Sequence, residues 1–147
     1  MTDRFDPATP AHAHALERLR NDKIAWLTTV TPEGQPQTMP IWFIWSLADD
    51  SAGEVLVYGD RRARRNRNLE SNDRVSLHLR ESEGGGDIVV IEGRARMDPE
   101  FPQVYDNAAY LAKYGAWIDQ YLEGAQRMAE VYDVPIRITP TRVVVGG

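Results

Sequence analysis

The chain has 147 residues, of which 42% are hydrophobic and 27% charged, and it carries a formal net charge of −5 with no cysteine. This size allows one domain with a packed core, whereas the missing cysteines exclude disulfides and thiolate chemistry, and no apolar run reaches the ~20 residues of a transmembrane helix. The acidic balance argues against a nucleic-acid binder, and the polar N-terminus without an apolar signal region leads us to expect a cytoplasmic protein.

The hydrophobic pattern divides the chain into helices and strands. Thr9 and Pro10 suit the N-cap and first position of a helix, and residues 74–80 alternate apolar and polar side chains as a half-buried strand does. In chain order the predicted elements are a helix within residues 1–22, strands at 24–30, 35–45 and 54–58 with a polar connection at 47–53, an arginine-rich helix ending near residue 70, strands at 74–80 and 87–97, one or two helices within 98–131, and a closing strand at 134–145.

The connections between the predicted strands are mostly turns. Residues 31–34 carry the proline and glycine of a β-turn, and residues 83–86 form a glycine-rich hairpin loop. Turns join antiparallel strands, whereas parallel strands need longer crossovers, usually helical. We therefore expect a mainly β, α+β fold with an antiparallel sheet or barrel, in one domain over residues 1–147.

An arginine cluster at residues 61–67 is the most informative local feature. It holds five arginines at the start of the predicted short helix. Positive charges at a helix N-terminus oppose the helix dipole, and a bound anion would remove that cost. Guanidinium groups also bind phosphate as a fork, so the cluster suits a phosphate clamp formed by Arg61, Arg64, Arg65 and Asn68. A solvated helix face with ion pairs explains it equally well on the sequence alone.

Two further segments carry candidate ligand contacts. Thr38, Pro40 and Trp42 alternate onto one face of the second predicted strand and suit a wall beside a flat ligand. Core packing is the commoner fate of a strand tryptophan. Tyr58 ends the third strand just before the arginine cluster, where its hydroxyl could reach a ligand, and a structural tyrosine is the alternative.

The remaining motifs give no metal site and no catalytic residue that can be named. His12 and His14 lie two residues apart on a predicted helix and so do not share a face, and His78 lies alone on the polar face of its strand. The sequence also lacks a nucleophile elbow, a Ser-His-Asp arrangement and a Walker loop.

Five short motifs, taken together, resemble a known family. The segment at residues 34–43 fits the pattern G-x-P-x-x-x-P-x-W-F of split-barrel flavin and deazaflavin oxidoreductases, the pyridoxamine-phosphate-oxidase-like superfamily. The other matching segments follow in the family's order at residues 65–69, 73–77, 91–95 and 138–142. The resemblance is closest to an actinobacterial branch described as using the deazaflavin coenzyme F-420.

The resemblance implies a fold, a cofactor and a reaction. The family has a six-stranded antiparallel split β-barrel, usually a homodimer, with the cofactor in a groove at the dimer interface. It transfers a hydride between F-420, or alternatively FMN, and a small organic substrate, so we expect an enzyme of this kind. The cofactor-binding residues implied for this chain are Thr38, Pro40, Trp42, Tyr58 and Gly59 along the ring and Arg61, Arg65 and Asn68 at the phosphate.

The chain departs from the family pattern in two ways, and two other functions stay open. The helix lysine of the family is Arg65 here, and the small hydroxyl residues before the helix are replaced by Gly59 and Asp60. The first alternative is a non-catalytic carrier of a flavin, a deazaflavin or haem. The second is a module that binds nucleic acid or a partner through the arginines; the acidic chain argues against nucleic acid. We expect neither nucleic acid nor membrane as a partner.

Overall fold

The computed structural model describes residues 4–46 and 53–146, so the predicted polar connection at 47–53 lies almost entirely outside the described residues. The helices are α1 (Pro10–Asn21), α2 (Arg64–Ser71), α3 (Ala108–Leu122) and α4 (Ala125–Val131), with a 3₁₀ turn at Val104–Asp106. The strands are β1 (Ala25–Val30), β2 (Pro36–Ile41), β3 (Ile44–Ser46), β4 (Glu54–Gly59), β5 (Arg74–Leu79), β6 (Ile88–Met97) and β7 (Val134–Gly146). None of the helices in these two ranges is long and apolar enough to cross a membrane.

The strands form one curled sheet, a half-barrel, in the order β2-β1-β5-β6-β7-β4-β3. Every neighbouring pair is antiparallel, which confirms the predicted sheet type and the mainly β, α+β class. The sheet bends where the register of β6 against β7 shifts between Glu92 and Gly93. A Cβ atom at Gly93 would lie 2.5 Å from the carbonyl oxygen of Thr139, so the bend requires glycine.

The resemblance implied six strands, whereas the described part of the chain forms seven. The predicted strand at 35–45 is divided into β2 and β3 because Phe43 leaves the ladder. Its backbone N–H donates to the Tyr114 hydroxyl at 2.8 Å, and its carbonyl accepts from Lys113 Nζ at 3.0 Å. Helix α3 thus takes the backbone groups that a continuous strand would give to its neighbour.

Asp98, Pro99 and Glu100 suit a helix start by sequence, but that prediction is wrong, because the first α-helix of this segment begins at Ala108. The Asp98 carboxylate accepts the backbone N–H of Glu100 at 3.2 Å and a guanidinium N–H of Arg137 at 3.0 Å, which fixes a turn. The helix starts after Asn107, whose side chain accepts the Tyr110 N–H as an N-cap.

The buried side chains fall into two groups, on which the site depends. The barrel core fills the inside of the curled sheet beneath α1 and is mainly aliphatic; its members include Leu16, Leu19, Leu27, Val57, Leu77 and Ile91. The aromatic layer lies between β3, β4 and helices α3 and α4; its members include Ile44, Leu56, Tyr58, Val104, Tyr110, Tyr114, Ile118 and Met128, with Trp42 and Trp117 packed against them.

Candidate functional site

The arginine cluster does not form one face. Arg61 and Arg62 precede α2 and are exposed; the first forms an ion pair with Asp133, and the second contacts the Asp60 carboxylate at 3.0 Å. Hydrogen bonds from the Arg62 side chain and backbone lower the pKa of Asp60. Both arginines therefore already have acidic partners, as expected of a solvated surface.

Arg65 differs from the other arginines because it points into a cavity. Its Nε atom is buried with no hydrogen-bond acceptor, and its guanidinium makes no hydrogen bond or ion pair to any residue in the described ranges. Burial lowers the pKa of Arg65. A cation that has lost water without gaining an acceptor costs free energy, and an anion bound in the cavity would offset that cost.

The cavity has a volume of about 220 Å³ and lies between the sheet and the two C-terminal helices. Strands β2 and β4 supply one wall, α2 supplies Arg65, and α3 and α4 supply the other wall. The lining residues are Pro40, Ile41, Trp42, Val57, Tyr58, Arg65, Tyr110, Leu122, Met128 and Tyr132. None of these lining residues is acidic, so the Arg65 guanidinium has no carboxylate partner within this mainly apolar and aromatic space.

Aromatic rings hold the cavity wall in place. Trp42 stacks on Tyr114 with a centroid distance of 5.0 Å and an interplanar angle of 3°. Tyr110 packs edge-on against Tyr58 at 5.0 Å and contacts Tyr114 at 4.8 Å. Ring contacts of this kind stabilise the packing beyond the buried area alone, so the wall is a fixed surface against which a flat ligand could lie.

The Tyr58 hydroxyl forms its hydrogen bonds with other groups of the protein. It donates to the carbonyl oxygen of Pro102 at 2.7 Å and accepts from Asn107 Nδ2 at 3.0 Å. Burial raises the pKa of Tyr58. The residue therefore contributes its ring to the cavity, while its hydroxyl connects β4 to the segment that leads into α3.

Four of the eight predicted cofactor residues line this cavity, namely Pro40, Trp42, Tyr58 and Arg65. The other four, Thr38, Gly59, Arg61 and Asn68, are not among its lining residues. The exposed Thr38 lies on the outer face of the sheet, with its hydroxyl 2.7 Å from that of Thr28. Gly59 is buried, and a Cβ there would lie 3.0 Å from Ile136 Cδ1.

Asn68 has a role that the sequence did not indicate. Its Nδ2 atom donates to the Thr29 hydroxyl and to Gln37 Oε1, at 2.9 Å each. These two acceptors belong to β1 and β2, so the buried Asn68 side chain holds helix α2 against the sheet. That contact fixes the direction from which Arg65 enters the cavity.

The sequence analysis missed the helical wall. Tyr110, Leu122, Met128 and Tyr132 line the cavity from α3, α4 and the residue that follows them. The aromatic side chains of α3 recur at helical spacing, which is a signal for a buried face. This signal does not separate a cavity wall from ordinary packing.

The histidines lie away from the cavity. His12 Nδ1 accepts the backbone N–H of Asp6 at 2.9 Å, His14 contacts the Asp87 carboxylate at 3.1 Å, and His78 Nδ1 lies 3.2 Å from the Leu79 carbonyl. Within residues 4–46 and 53–146, no group of three or more histidine or acidic side chains could hold a metal ion.

The sequence also matches a known protein family. A sequence model described as pyridoxamine 5'-phosphate oxidase matches residues 11–145. No curated protein matches the chain significantly.

Several solved structures share the fold at low sequence identity. The haem storage protein HutZ from Vibrio cholerae is 21% identical with a TM-score of 0.59, and the match covers 91% of this chain and 94% of that one. A structure described as F420 reductase is 21% identical with a TM-score of 0.59 over 87% and 94% of the two chains. An FAD-binding protein from Mesorhizobium loti is 18% identical with a TM-score of 0.61 over 89% and 88%.

Proposed function

The chain belongs to the pyridoxamine 5'-phosphate oxidase family, and on this premise we propose that it is an oxidoreductase that transfers a hydride between reduced F-420 and a small organic substrate. FMN is the second cofactor candidate. The observation that carries the proposal is the Arg65 guanidinium, which enters an aromatic cavity with a buried Nε that has no acceptor. A phosphate oxygen is the acceptor that such a group binds best.

The proposed roles of the residues follow from their positions. Arg65 binds the cofactor phosphate, and Asn68 holds α2 so that Arg65 keeps its direction. Pro40 and Trp42 lie along the ring. Arg61 is a second phosphate contact, which an anion gains in competition with Asp133. When bound, the cofactor supplies the hydride chemistry, while the protein orients the ring and excludes water.

The exposed arginines favour F-420 over FMN. A surface hollow beside the cluster is lined by Arg61, Arg62, Ala63, Arg64, Arg67 and Glu70. Arg64 and Arg67 are exposed at this hollow. The polyglutamate tail of F-420 is a polyanion that such a surface attracts, and FMN has no comparable group.

We propose that the cofactor groove is completed by a second copy of the chain. The outer face of β1 and β2 exposes Trp26 by 39% and also carries Thr38, while Met39, exposed by 59%, lies on the opposite face of the edge strand β2. Exposed apolar side chains on an edge strand and its neighbour favour an interface. A partner covering this face would bring Thr38 into the groove, as expected for a cofactor contact at a dimer interface.

The haem carrier alternative has less support from this chain. No histidine is among the residues that line the cavity, and histidine is a common axial ligand of haem iron. A flavin or deazaflavin carrier would differ from the proposed enzyme only in lacking turnover, so activity with the reduced cofactor separates these two functions.

Cofactor binding tests the proposal directly. Purified protein is titrated with F-420 and with FMN in moderate salt, by fluorescence or calorimetry. We expect preferential F-420 binding, and we expect Arg65→Ala to weaken it by about 10- to 100-fold because a charge-assisted hydrogen bond is lost. Arg74→Ala, an exposed arginine outside both the cavity and the surface hollow, is the matched control and should change the affinity by less than about threefold.

Two outcomes contradict the proposal. If neither cofactor binds, the oxidoreductase function is wrong. If the Arg65→Ala and Arg74→Ala variants bind F-420 equally, Arg65 is not the phosphate ligand.

A further inference from the structure

A line of contacting aromatic rings runs from the cavity to the protein surface. Trp42 lines the cavity. Its ring centroid lies 5.5 Å from that of Trp117, and the centroid of Trp117 lies 6.1 Å from that of Tyr121, near the end of α3. Tyr121 is 60% exposed. Each ring therefore contacts the next, and the last ring reaches water.

Packing accounts for the buried rings of α3 better than for the exposed one. Trp117 and Tyr121 are four residues apart and so lie on the same side of the helix. Aromatic residues at this spacing usually form a buried stripe. Tyr121 continues the stripe beyond the core, holding its ring at 77° to that of Trp117 while more than half of the residue stays in water. Its contribution to the buried core is therefore small.

The chemistry of these side chains suits the transfer of single electrons. In a chain without cysteine, tryptophan and tyrosine are the side chains that give up one electron most readily. The rate of electron transfer falls exponentially with the distance between donor and acceptor, so rings in contact exchange an electron quickly. The contacts from Trp42 to Trp117 and from Trp117 to Tyr121 provide two such short steps.

The buried tyrosines beside this line cannot hold the oxidised state, because a tyrosine keeps it only after releasing its phenolic proton. Burial raises the pKa of Tyr110 and Tyr114 well above the ordinary value. The Tyr114 hydroxyl lies 2.8 Å from the carbonyl oxygens of Lys23 and Phe43, which are too weakly basic to take a proton. Tyr121 is exposed and can give its proton to water.

The charge of Lys23 favours the step onward from Trp117. The Lys23 Nζ atom lies 4.5 Å from the ring centroid of Trp117. A cation at this distance is attracted to the neutral indole ring and repelled by the positive charge of an oxidised one. An oxidised Trp117 is therefore short-lived, and the electron that restores it comes from Tyr121.

We propose that Trp42, Trp117 and Tyr121 form a path that moves one-electron oxidation from the cavity to the surface and thereby protects the cavity wall. The oxidant is a small oxygen- or nitrogen-centred radical that takes one electron from Trp42. An electron from Trp117 restores Trp42, and an electron from Tyr121 restores Trp117, while the Tyr121 phenol gives its proton to water. Ascorbate or a thiol in solution then returns a hydrogen atom to the Tyr121 oxygen, so the radical gains one electron and the soluble reductant loses one.

Pulse radiolysis with the azide radical, a one-electron oxidant that is selective for tryptophan, tests the path. The full chain is used without added cofactor, and the tryptophanyl and tyrosyl radicals are followed by their separate absorption bands. Trp26, which is 39% exposed on the outer face of the sheet, is oxidised equally in every variant. We expect the tyrosyl band to rise as the tryptophanyl band decays, at a rate that is independent of protein concentration because the transfer is intramolecular.

Three variants locate the path. Tyr121→Phe keeps the ring contact with Trp117 and removes only the hydroxyl, so it should abolish the tyrosyl rise and leave the unfolding temperature unchanged. Trp117→Phe should also abolish the rise, because it removes the indole between Trp42 and Tyr121. Tyr105→Phe is the matched control, since Tyr105 is 40% exposed and its ring contacts no tryptophan in the described chain, and it should keep the rise.

Peptide mass spectrometry tests the protection of the cavity wall. The proteins are exposed to steady production of azide radicals at a fixed ascorbate concentration, and the fraction of Trp42 with an oxidised ring is measured over time. This fraction should grow faster in Tyr121→Phe than in the wild type. It should grow at the wild-type rate in Tyr105→Phe.

A tyrosyl rise that is lost in Tyr121→Phe and kept in Tyr105→Phe supports the path, and this pair decides the matter even where Trp117→Phe does not fold. Absence of the rise in the wild type, or a rise that survives in Tyr121→Phe or in folded Trp117→Phe, overturns it. Equal oxidation of Trp42 in the wild type and Tyr121→Phe overturns the protective role. Because no cofactor is present in either experiment, these outcomes are independent of the proposed oxidoreductase function.

Discussion

The barrel core and the aromatic layer are packed on different principles. The barrel core consists mainly of aliphatic side chains that interdigitate inside the curled sheet. The aromatic layer instead packs tyrosine and tryptophan rings between the sheet and two helices, and it leaves a cavity of about 220 Å³. Aliphatic side chains pack at high density without polar atoms. Tyrosine and tryptophan rings leave space between them, and the tyrosines bring hydroxyl groups that can donate hydrogen bonds. The comparison separates the part of the molecule that determines stability from the part that can bind a ligand.

The largest expected effect is the loss of stability when a buried side chain is truncated to alanine. Comparing this loss in the two regions tests whether the barrel core determines stability more than the aromatic layer does. Leu77→Ala in the barrel core should lower the free energy of unfolding by about 4 kcal/mol, because the fully buried site cannot collapse around the lost atoms. Met128→Ala in the aromatic layer should lower it by about 2 kcal/mol, because Met128 already borders a cavity. Denaturant unfolding measures both losses, and equal losses would contradict the division.

A smaller effect is expected where α2 meets the sheet. Asn68→Ala should lower the free energy of unfolding by about 1 to 3 kcal/mol, because the Thr29 hydroxyl and Gln37 Oε1 lose their buried donor. The same change should weaken F-420 binding through the position of Arg65. Asn21→Ala, at the exposed end of α1, is the control for denaturant unfolding and for binding. Equal behaviour of the two variants would show that Asn68 does not position Arg65.

The smallest effect is a pH dependence at the contact between α3 and Phe43. Lys113 is half-buried with Nζ 3.9 Å from the Phe43 ring centroid, and burial lowers the pKa of this lysine to about 8. An unfolded lysine titrates at about 10.4, so the unfolded chain binds more protons between these values. The contribution of Lys113 to stability should therefore rise with pH above about 8.

The measurement is the unfolding temperature of wild type and Lys113→Met at pH 7.5 and 9.5. The difference between the two proteins should change with pH in the direction that favours the wild type at the higher pH. A difference that is the same at both values would show that Lys113 titrates as an exposed lysine does.

The sequence predicted the sheet well and the site only in part. Strands such as β5 are visible because alternate side chains face the barrel core, and the observed burial of Val75, Leu77 and Leu79 follows that pattern. The break between β2 and β3 was not visible, since it depends on Lys113 and Tyr114, which lie about seventy residues away in sequence.

The same limit applies to the arginine cluster. Composition shows that five arginines lie together, but only the fold shows that Arg65 enters a cavity while Arg61 meets Asp133. Tyr110 is a still clearer case. Its helical spacing indicates burial, and nothing in the sequence indicates that its hydroxyl, unlike that of Tyr114, makes no hydrogen bond to the part of the chain that the structure describes.

The unpaired guanidinium of Arg65 also offers a way to search for ligands without an assay of activity. A compound that binds the folded chain and not the unfolded chain raises stability by an amount set by its concentration relative to Kd, about 2.7 kcal/mol at one hundred times Kd. Because the cavity holds a guanidinium whose Nε has no hydrogen-bond acceptor in the described chain, anions that fit should give the largest rises in melting temperature. A thermal-shift screen of a metabolite library would then rank cofactors and inhibitors from the heating curves alone.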